Sequence, residues 1–209
     1  MASAAHDHHP KHRFDPAKAA NLLDPQRRLL DDPLALLRQM GIGPGMQVAD
    51  LGCGVGFFTE ALLQAVGAEG KIFAVELQEA MLTILKQRFP AQANLQLQQA
   101  DLLDSKLEPA SCDVAFIAFT LHEVPALAAL QEVKRILRPD GRLLVVDWGA
   151  QAPCPEREAG RKAGPPEEER LLPESLRQIL REQGWQELAY GERLQGCHYW
   201  LSARMLPFS

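Results

Sequence analysis

The chain is predicted to fold as an α/β protein around a mainly parallel sheet, and three observations carry that expectation. Short apolar runs alternate with segments of helical periodicity between about residues 47 and 147, and most successive runs are separated by crossover helices rather than hairpin turns. Several of these runs end in a carboxylate, and the first passes directly into a glycine-rich bend. The 209 residues, 46% of them apolar, suffice for one domain with a substantial core and are too few for two comfortable ones.

Taken in order, residues 1–13 hold His6, His8, His9 and His12 among small and polar neighbours. Without acidic or cysteine partners at helical spacing they read as a disordered arm, not a metal site. Residues 14–40 read as one or two helices broken by prolines, with Leu29, Leu30, Leu34, Leu36 and Leu37 on an apolar face. The core, 41–148, runs as strand 47–51, helix 57–66 stopped by Gly67, strand 71–76, helix 79–88 stopped by Pro90, and strands 95–99 and 113–118. Helix 126–137, ended by Arg138-Pro139-Asp140-Gly141, and strand 142–147 complete it. Residues 150–169 carry Pro153, Pro155, Pro165, Pro166, Gly160 and Gly164 among many charges and predict a mobile loop, either closing over a substrate or serving as a plain linker. The final segment, 170–209, reads as a helix from Glu174 to Gln183, capped by Gly184, and strands 185–191 and 198–205.

The chemistry concentrates at Val48-Ala49-Asp50-Leu51-Gly52-Cys53-Gly54-Val55-Gly56. Glycines at alternate positions let the backbone bend sharply and approach a ligand closely, and Phe57 opens the following helix. A dinucleotide fingerprint places its third small residue five positions after the first glycine, where Phe57 stands here. Asp50 argues the same way, because a carboxylate at the mouth of the loop repels a pyrophosphate and attracts an ammonium or a sulfonium. S-adenosylmethionine carries both. The second strand ends in Glu76, about 20 residues past Gly56, the spacing of an acid that binds ribose hydroxyls. The third ends in Asp101, suited to accept a hydrogen bond from an exocyclic adenine amine. Each acid alone is also compatible with a helix cap or a solvated strand end; three at successive strand ends point to one ligand.

On these residues, from about Gly41 to the C-terminus, the chain resembles the class I S-adenosylmethionine-dependent methyltransferases. The resemblance implies a Rossmann-like three-layer sandwich whose seven-stranded, mostly parallel sheet has its last strands antiparallel at the edge. It also implies that Asp50, Gly52, Gly54 and Gly56 hold the methionine end, that Glu76 holds the ribose, that Asp101 holds the adenine amine, and that Phe57 and Ala118 belong to the same cofactor site. Leu77 and Leu102 then supply apolar and backbone contacts to adenine, and the N-terminal segment covers the cofactor. A more general resemblance reaches the methyltransferases of ubiquinone and menaquinone biosynthesis, which implies a small-molecule methyl acceptor.

A net charge of −5 offers no general attraction for phosphate backbones, so no nucleic-acid partner is expected; Arg27-Arg28 and Lys134-Arg135 read as solvated faces. No apolar stretch approaches the roughly 20 residues that span a bilayer, and a cytoplasmic protein without a membrane span is expected. No heptad repeat or apolar stripe stands out, which suggests a monomer or weak homodimer. Cys53, Cys112, Cys154 and Cys197 lack C-x-x-C spacing and read as four free thiols, with no metal site. Some methyltransferases that act on arsenite bind it through cysteine thiolates, and the family resemblance keeps that alternative open.

Methyl transfer from a sulfonium needs mainly orientation and exclusion of water, plus a base where the acceptor is weakly acidic. Ala118-Phe119-Thr120-Leu121-His122-Glu123 leaves the fourth strand where an acceptor should lie. His122 is the candidate base or acceptor contact, or else a helix-start residue bonded to backbone. Glu123 either orients the imidazole or lies in solvent. Asp147 and Trp148 end the fifth strand; they bind a polar ring, or Trp148 packs under the 150–169 loop while Asp147 caps a turn. Met81, Phe116 and Phe119 are candidates for an apolar pocket wall. Two rival functions remain: a nicotinamide-dependent oxidoreductase on the same kind of sheet, and a cofactor-binding protein without catalysis.

Overall fold

One seven-stranded sheet organises the structure, a computed structural model that describes residues 19–24, 32–150, 154 and 164–206. Its strands are β1 (Gln47–Leu51), β2 (Lys71–Glu76), β3 (Leu95–Gln99), β4 (Cys112–Ala118), β5 (Leu137–Trp148), β6 (Trp185–Arg193) and β7 (His198–Met205), in the order β3-β2-β1-β4-β5-β7-β6. The first five are mutually parallel, and β7 runs antiparallel between β5 and β6. β1, β2 and β4 are apolar almost throughout and nearly wholly buried, as expected of parallel strands covered on both faces. The edge strand β3, Leu-Gln-Leu-Gln-Gln, keeps its polar side chains partly in solvent.

The helices are α1 (Ala19–Leu22), α2 (Pro33–Gln39), α3 (Phe57–Val66), α4 (Glu79–Arg88), α5 (Ala126–Ile136) and α6 (Pro173–Glu182). The helix α2 starts where Asp32 Oδ1 accepts the backbone N–H of Leu34 at 2.9 Å and of Ala35 at 3.3 Å, with Pro33 supplying a first turn that needs no donor. Strand alternation divides the core between the two faces of the sheet. Ala49, Leu51, Ala115 and Ile117 pack with Leu130, Val133 and Ile136 of α5 and Leu176 and Leu180 of α6. Val48, Val114 and Phe116 pack with Leu36 and Leu37 of α2 and Leu62 and Val66 of α3. The result is the expected three-layer α/β sandwich.

The element bounds follow the sequence reading closely, with one instructive departure. The sequence reading ends the helix 126–137 at Arg138-Pro139-Asp140-Gly141 and starts the next strand at residue 142, yet β5 already begins at Leu137. Leu137 pairs with Cys112 and Arg138 forms an ion pair with Asp113; the strand then bulges through Pro139-Asp140-Gly141 before regular pairing resumes at Val114 and Arg142. The histidine-bearing arm, residues 14–18 and 25–31 of the N-terminal helical segment, residues 151–153 and 155–163 of the expected loop, and residues 207–209 lie outside the described residues.

Chain order reverses between β1 and β4, which neighbour each other while their successors run to opposite edges. In open parallel sheets the crevice beyond such a reversal is where ligands bind. No described helix is long and apolar enough to cross a membrane.

Candidate functional site

A cavity of about 190 Å³ opens at that reversal, beyond the carboxyl ends of the first four strands. Asp50, Gly52, Gly54, Phe57, Glu76, Leu77, Asp101, Leu102, Ala118 and Glu123 all line it. Gly56, His122 and Asp147 stand behind the wall. Phe116, offered by the sequence as a pocket residue, is instead wholly buried core opposite Asp50 on β1, since strand alternation turns it toward α3.

The bend is built by backbone geometry that side chains would obstruct. Gly52 has φ +76°, and a Cβ there would lie 2.7 Å from the Thr120 side chain; Gly56 has φ +85°, and a Cβ would lie 2.4 Å from Leu85 of α4. Both need glycine for space as well as conformation. Gly56 closes the loop against α4 and caps α3, which explains why it does not face the cavity. Arg88 of α4 clamps the loop from behind, donating to the carbonyls of Val55 at 2.5 Å and Gly56 at 2.9 Å while pairing with Glu60 at 2.6 Å.

The acids occupy three different environments. Asp50 is buried, and its Oδ2 accepts from Thr59 Oγ1 at 2.6 Å. Burial pushes its carboxyl up to about 7; the Thr59 hydroxyl opposes that and the nearby Glu76 charge adds to it. Glu76 accepts from Gly54 N at 3.0 Å through Oε2 and from Gln78 N at 2.9 Å through Oε1, so it ties the glycine loop to the start of α4. Asp101 accepts from Leu103 N at 2.9 Å and orders the turn carrying Leu102. That turn is anchored from below by the buried Glu132 of α5, which accepts the Ser105 backbone N–H at 2.8 Å and the Ser105 hydroxyl.

Among the described residues no lysine or arginine pairs with Asp50, and Asp50, Glu76 and Asp101 together face the cavity. Beside it, the space next to Gly54 is open, the nearest atom to a built Cβ being Leu22 at 3.9 Å. An adenosyl sulfonium bears a positive charge, ribose hydroxyls and an amine, groups whose chemistry suits a set of carboxylates at this spacing.

The wall beyond the glycine loop differs in character. Phe119 holds φ +54°, unusual for a bulky residue, and its N–H donates to Val146 at 2.8 Å. Phe58 and Phe119 lie 6.3 Å apart between ring centres, and Thr120, Glu123 and Val124 complete this side. A 3₁₀ turn at Leu121–Glu123 presents Glu123 to the cavity and turns His122 inward. There His122 Nδ1 lies 2.7 Å from Asp147 Oδ1, and its Nε2 lies 3.9 Å from Glu123 Oε1. Burial disfavours the imidazolium, but the hydrogen bond and charge of Asp147, then Glu123 and Glu169, outweigh it and raise the pKa of His122. Asp147 also accepts the Trp148 N–H at 2.9 Å and is wholly buried. Trp148 packs under the far end of the loop, against Gly164 and Cys154, and not in the cavity.

Two features escaped the sequence. Thr59, Gln78, Arg88 and Glu132 support the site from elements whose proximity only the fold creates; the nearest signal was a threonine one turn into the helix after the glycine loop. Second, Cys154 and Cys197 are not free thiols: they form a disulfide across 43 positions, and only Cys53 and Cys112 are free. The fold of β5 back along β7 brings them together, a proximity that spacing in the chain conceals.

Such a sheet, with acids at neighbouring strand ends around a glycine bend, is the fold of solved S-adenosylmethionine-dependent methyltransferases on which the chain superposes. The methyltransferase domain family matches residues 49–145. A demethylmenaquinone methyltransferase of Staphylococcus aureus is 34% identical over 113 residues, 54% of this chain and 47% of that protein. The chain thus aligns with about half the length of the curated relatives it matches. The crystal structure of an S-adenosylmethionine-dependent methyltransferase from Aquifex aeolicus superposes with a TM-score of 0.82 at 29% identity, covering 93% of this chain and all of that one. A phosphoethanolamine N-methyltransferase from Haemonchus contortus, bound to S-adenosylhomocysteine, shares the fold at 14% identity and a TM-score of 0.69, covering 92% of this chain and 46% of that one. The chain is thus similar to the class I S-adenosylmethionine-dependent methyltransferases, through a methyltransferase domain over residues 49–145 and a shared fold over 93% of its length, and this likeness supports S-adenosylmethionine as its cofactor.

Proposed function

We propose that this chain, acting as one domain, transfers a methyl group to a small, flat and largely apolar acceptor bearing an acidic ring position or hydroxyl. The observation that carries this reading is the two-sided cavity: carboxylates Asp50, Glu76 and Asp101 on the cofactor side, and Phe58, Phe119 and Val124 with the single carboxylate Glu123 on the other. Likeness to a demethylmenaquinone methyltransferase supports the same acceptor class.

In this reading Asp50, the glycine loop, Phe57 and Ala118 hold the methionine end, Glu76 the ribose, and Asp101 with Leu77 and Leu102 the adenine. When bound, the cofactor supplies an electrophilic methyl on a sulfonium leaving group. The aromatic wall excludes water and lays the acceptor in line with that methyl. Glu123 would accept the proton that the acceptor loses, and the imidazole of His122, oriented by buried Asp147, would stabilise or receive it. His122 and Asp147 therefore act behind Glu123 as positioning residues. Thiolate capture of arsenite is not favoured, because Cys154 and Cys197 are joined to each other and neither lines the cavity.

Incubation with methyl-labelled S-adenosylmethionine and a panel of hydroquinones, naphthols, amines and thiols tests the proposal. Label should pass to the hydroxylated aromatics with release of S-adenosylhomocysteine. Transfer confined to amines or thiols, or no transfer above cofactor hydrolysis, contradicts it.

A further inference from the structure

A second cluster of chemically able side chains lies behind the acceptor wall. Cys154, Cys197 and His198 are all buried, and their potential ligand atoms lie within 4.8 Å of one another. Cys197 and His198 are consecutive, and in a regular strand they would point to opposite faces. Cys197 instead has helical backbone angles, φ −66° and ψ −37°, at the end of the 3₁₀ turn Leu194–Gly196, and β7 begins only at His198. This break in alternation turns both side chains toward Cys154.

We propose that Cys154, Cys197 and His198 form a thiol-gated metal site, in which reduction of the disulfide exposes two sulfurs and one nitrogen to a thiophilic divalent cation of the zinc class. The Cα atoms of the two cysteines stand 5.0 Å apart, close enough for both sulfurs to bind one ion at the usual distance of about 2.3 Å after a small side-chain rotation. Charge selects the ion. Among the described residues the apolar neighbours are Trp148, Phe119 and Leu194, and two thiolates with a divalent cation leave this nest neutral, whereas a monovalent ion leaves a buried negative charge. Thiolate and imidazole ligands also disfavour magnesium and calcium, which take oxygen. Three protein ligands leave a fourth position for water.

The gating step balances as follows. An external dithiol gives two electrons and two protons to the Cys154–Cys197 bond and becomes a disulfide itself; metal binding then sends both thiol protons to solvent. The other thiols do not compete well, since burial pushes those of both Cys53 and Cys112 up and keeps them protonated. The site adjoins the cavity through Phe119, whose ring lies 4.7 Å from His198 and 5.1 Å from Trp148.

The test uses the full chain, reduced with a phosphine under nitrogen and titrated with Co²⁺ as a coloured stand-in for zinc. Reduced protein should bind one equivalent with a thiolate-to-cobalt charge-transfer band that zinc then abolishes. Oxidised protein, Cys154→Ser and Cys197→Ser should lack the band, and His198→Ala should weaken binding by about tenfold or more. The N-terminal histidines are common to every variant and give no sulfur band. Binding of S-adenosylhomocysteine checks that each variant is folded; if one serine variant fails that check, the other and the oxidised protein supply the comparison. The site is overturned if reduced protein shows no such band, if the band persists in a folded serine variant, or if the disulfide resists reduction in the folded chain.

Discussion

The two sides of the cavity are assembled differently. On the cofactor side, Asp50, the glycine bend and Glu76 come from one β-α-β stretch, residues 47–76, and Asp101 lies just past the end of the next strand. On the acceptor side, Glu123 depends on His122, His122 on Asp147 across 25 positions, and the wall behind Phe119 on a disulfide across 43. Local sequence therefore writes the first side, and long-range packing composes the second. A ligand common to a whole class can be met by a local motif, while the acceptor is met by whatever the later strands bring against that motif.

The sharpest way to break this comparison is to remove the cofactor acids. Asp50→Ala and Glu76→Ala should each weaken S-adenosylmethionine binding by about 2–5 kcal/mol, roughly 30-fold or more, in calorimetry. Unchanged affinity in both would falsify the placement of the cofactor. Next, Glu123→Gln should lower turnover of a productive acceptor by about 100-fold with cofactor affinity intact. His122→Ala should also spare cofactor affinity, while shifting the acid limb of the rate profile; a simple loss of stability without that shift would reduce His122 to a structural part.

Glu132→Ala should cost about 1–3 kcal/mol in denaturant unfolding, because it strands the Ser105 donors in the interior. A change in cofactor affinity as large as that from Asp50→Ala would show that the support under Asp101 matters as much as the direct contacts. pH gives a further measure of the cofactor side. Asp50 is raised in the folded chain from 3.8 to about 7, so its ionisation opposes folding: the ligand-free protein loses stability from this group as pH rises from about 4 to 7. A cationic ligand needs the ionised form, so affinity should rise with pH, by up to about tenfold per unit below 7, and level off above it. Asp50→Asn should flatten that profile, and a profile unchanged in the variant would assign the titration elsewhere.

How much was legible follows the same division. Gly52, Gly54, Glu76 and Asp101 were readable because strand and loop chemistry repeats over a few residues, and each of them does line the cavity. Gly56 was readable as part of the bend, but its task is to admit Leu85 of α4, which spacing does not reveal. Phe116 and Phe119 looked alike as apolar residues of one segment. Alternation sent Phe116 into the core, while the positive φ of Phe119 turned it to the wall.

The order of strands and helices, the glycine bend and the acids at strand ends were determined by the sequence itself, because periodicity, turn chemistry and charge act over a few neighbouring residues. Tertiary structure alone decided that His122 meets Asp147, that Glu123 and not His122 faces the cavity, and that Cys154 joins Cys197. Those pairings depend on which strands lie side by side, and that is fixed by burying both faces of the sheet at once.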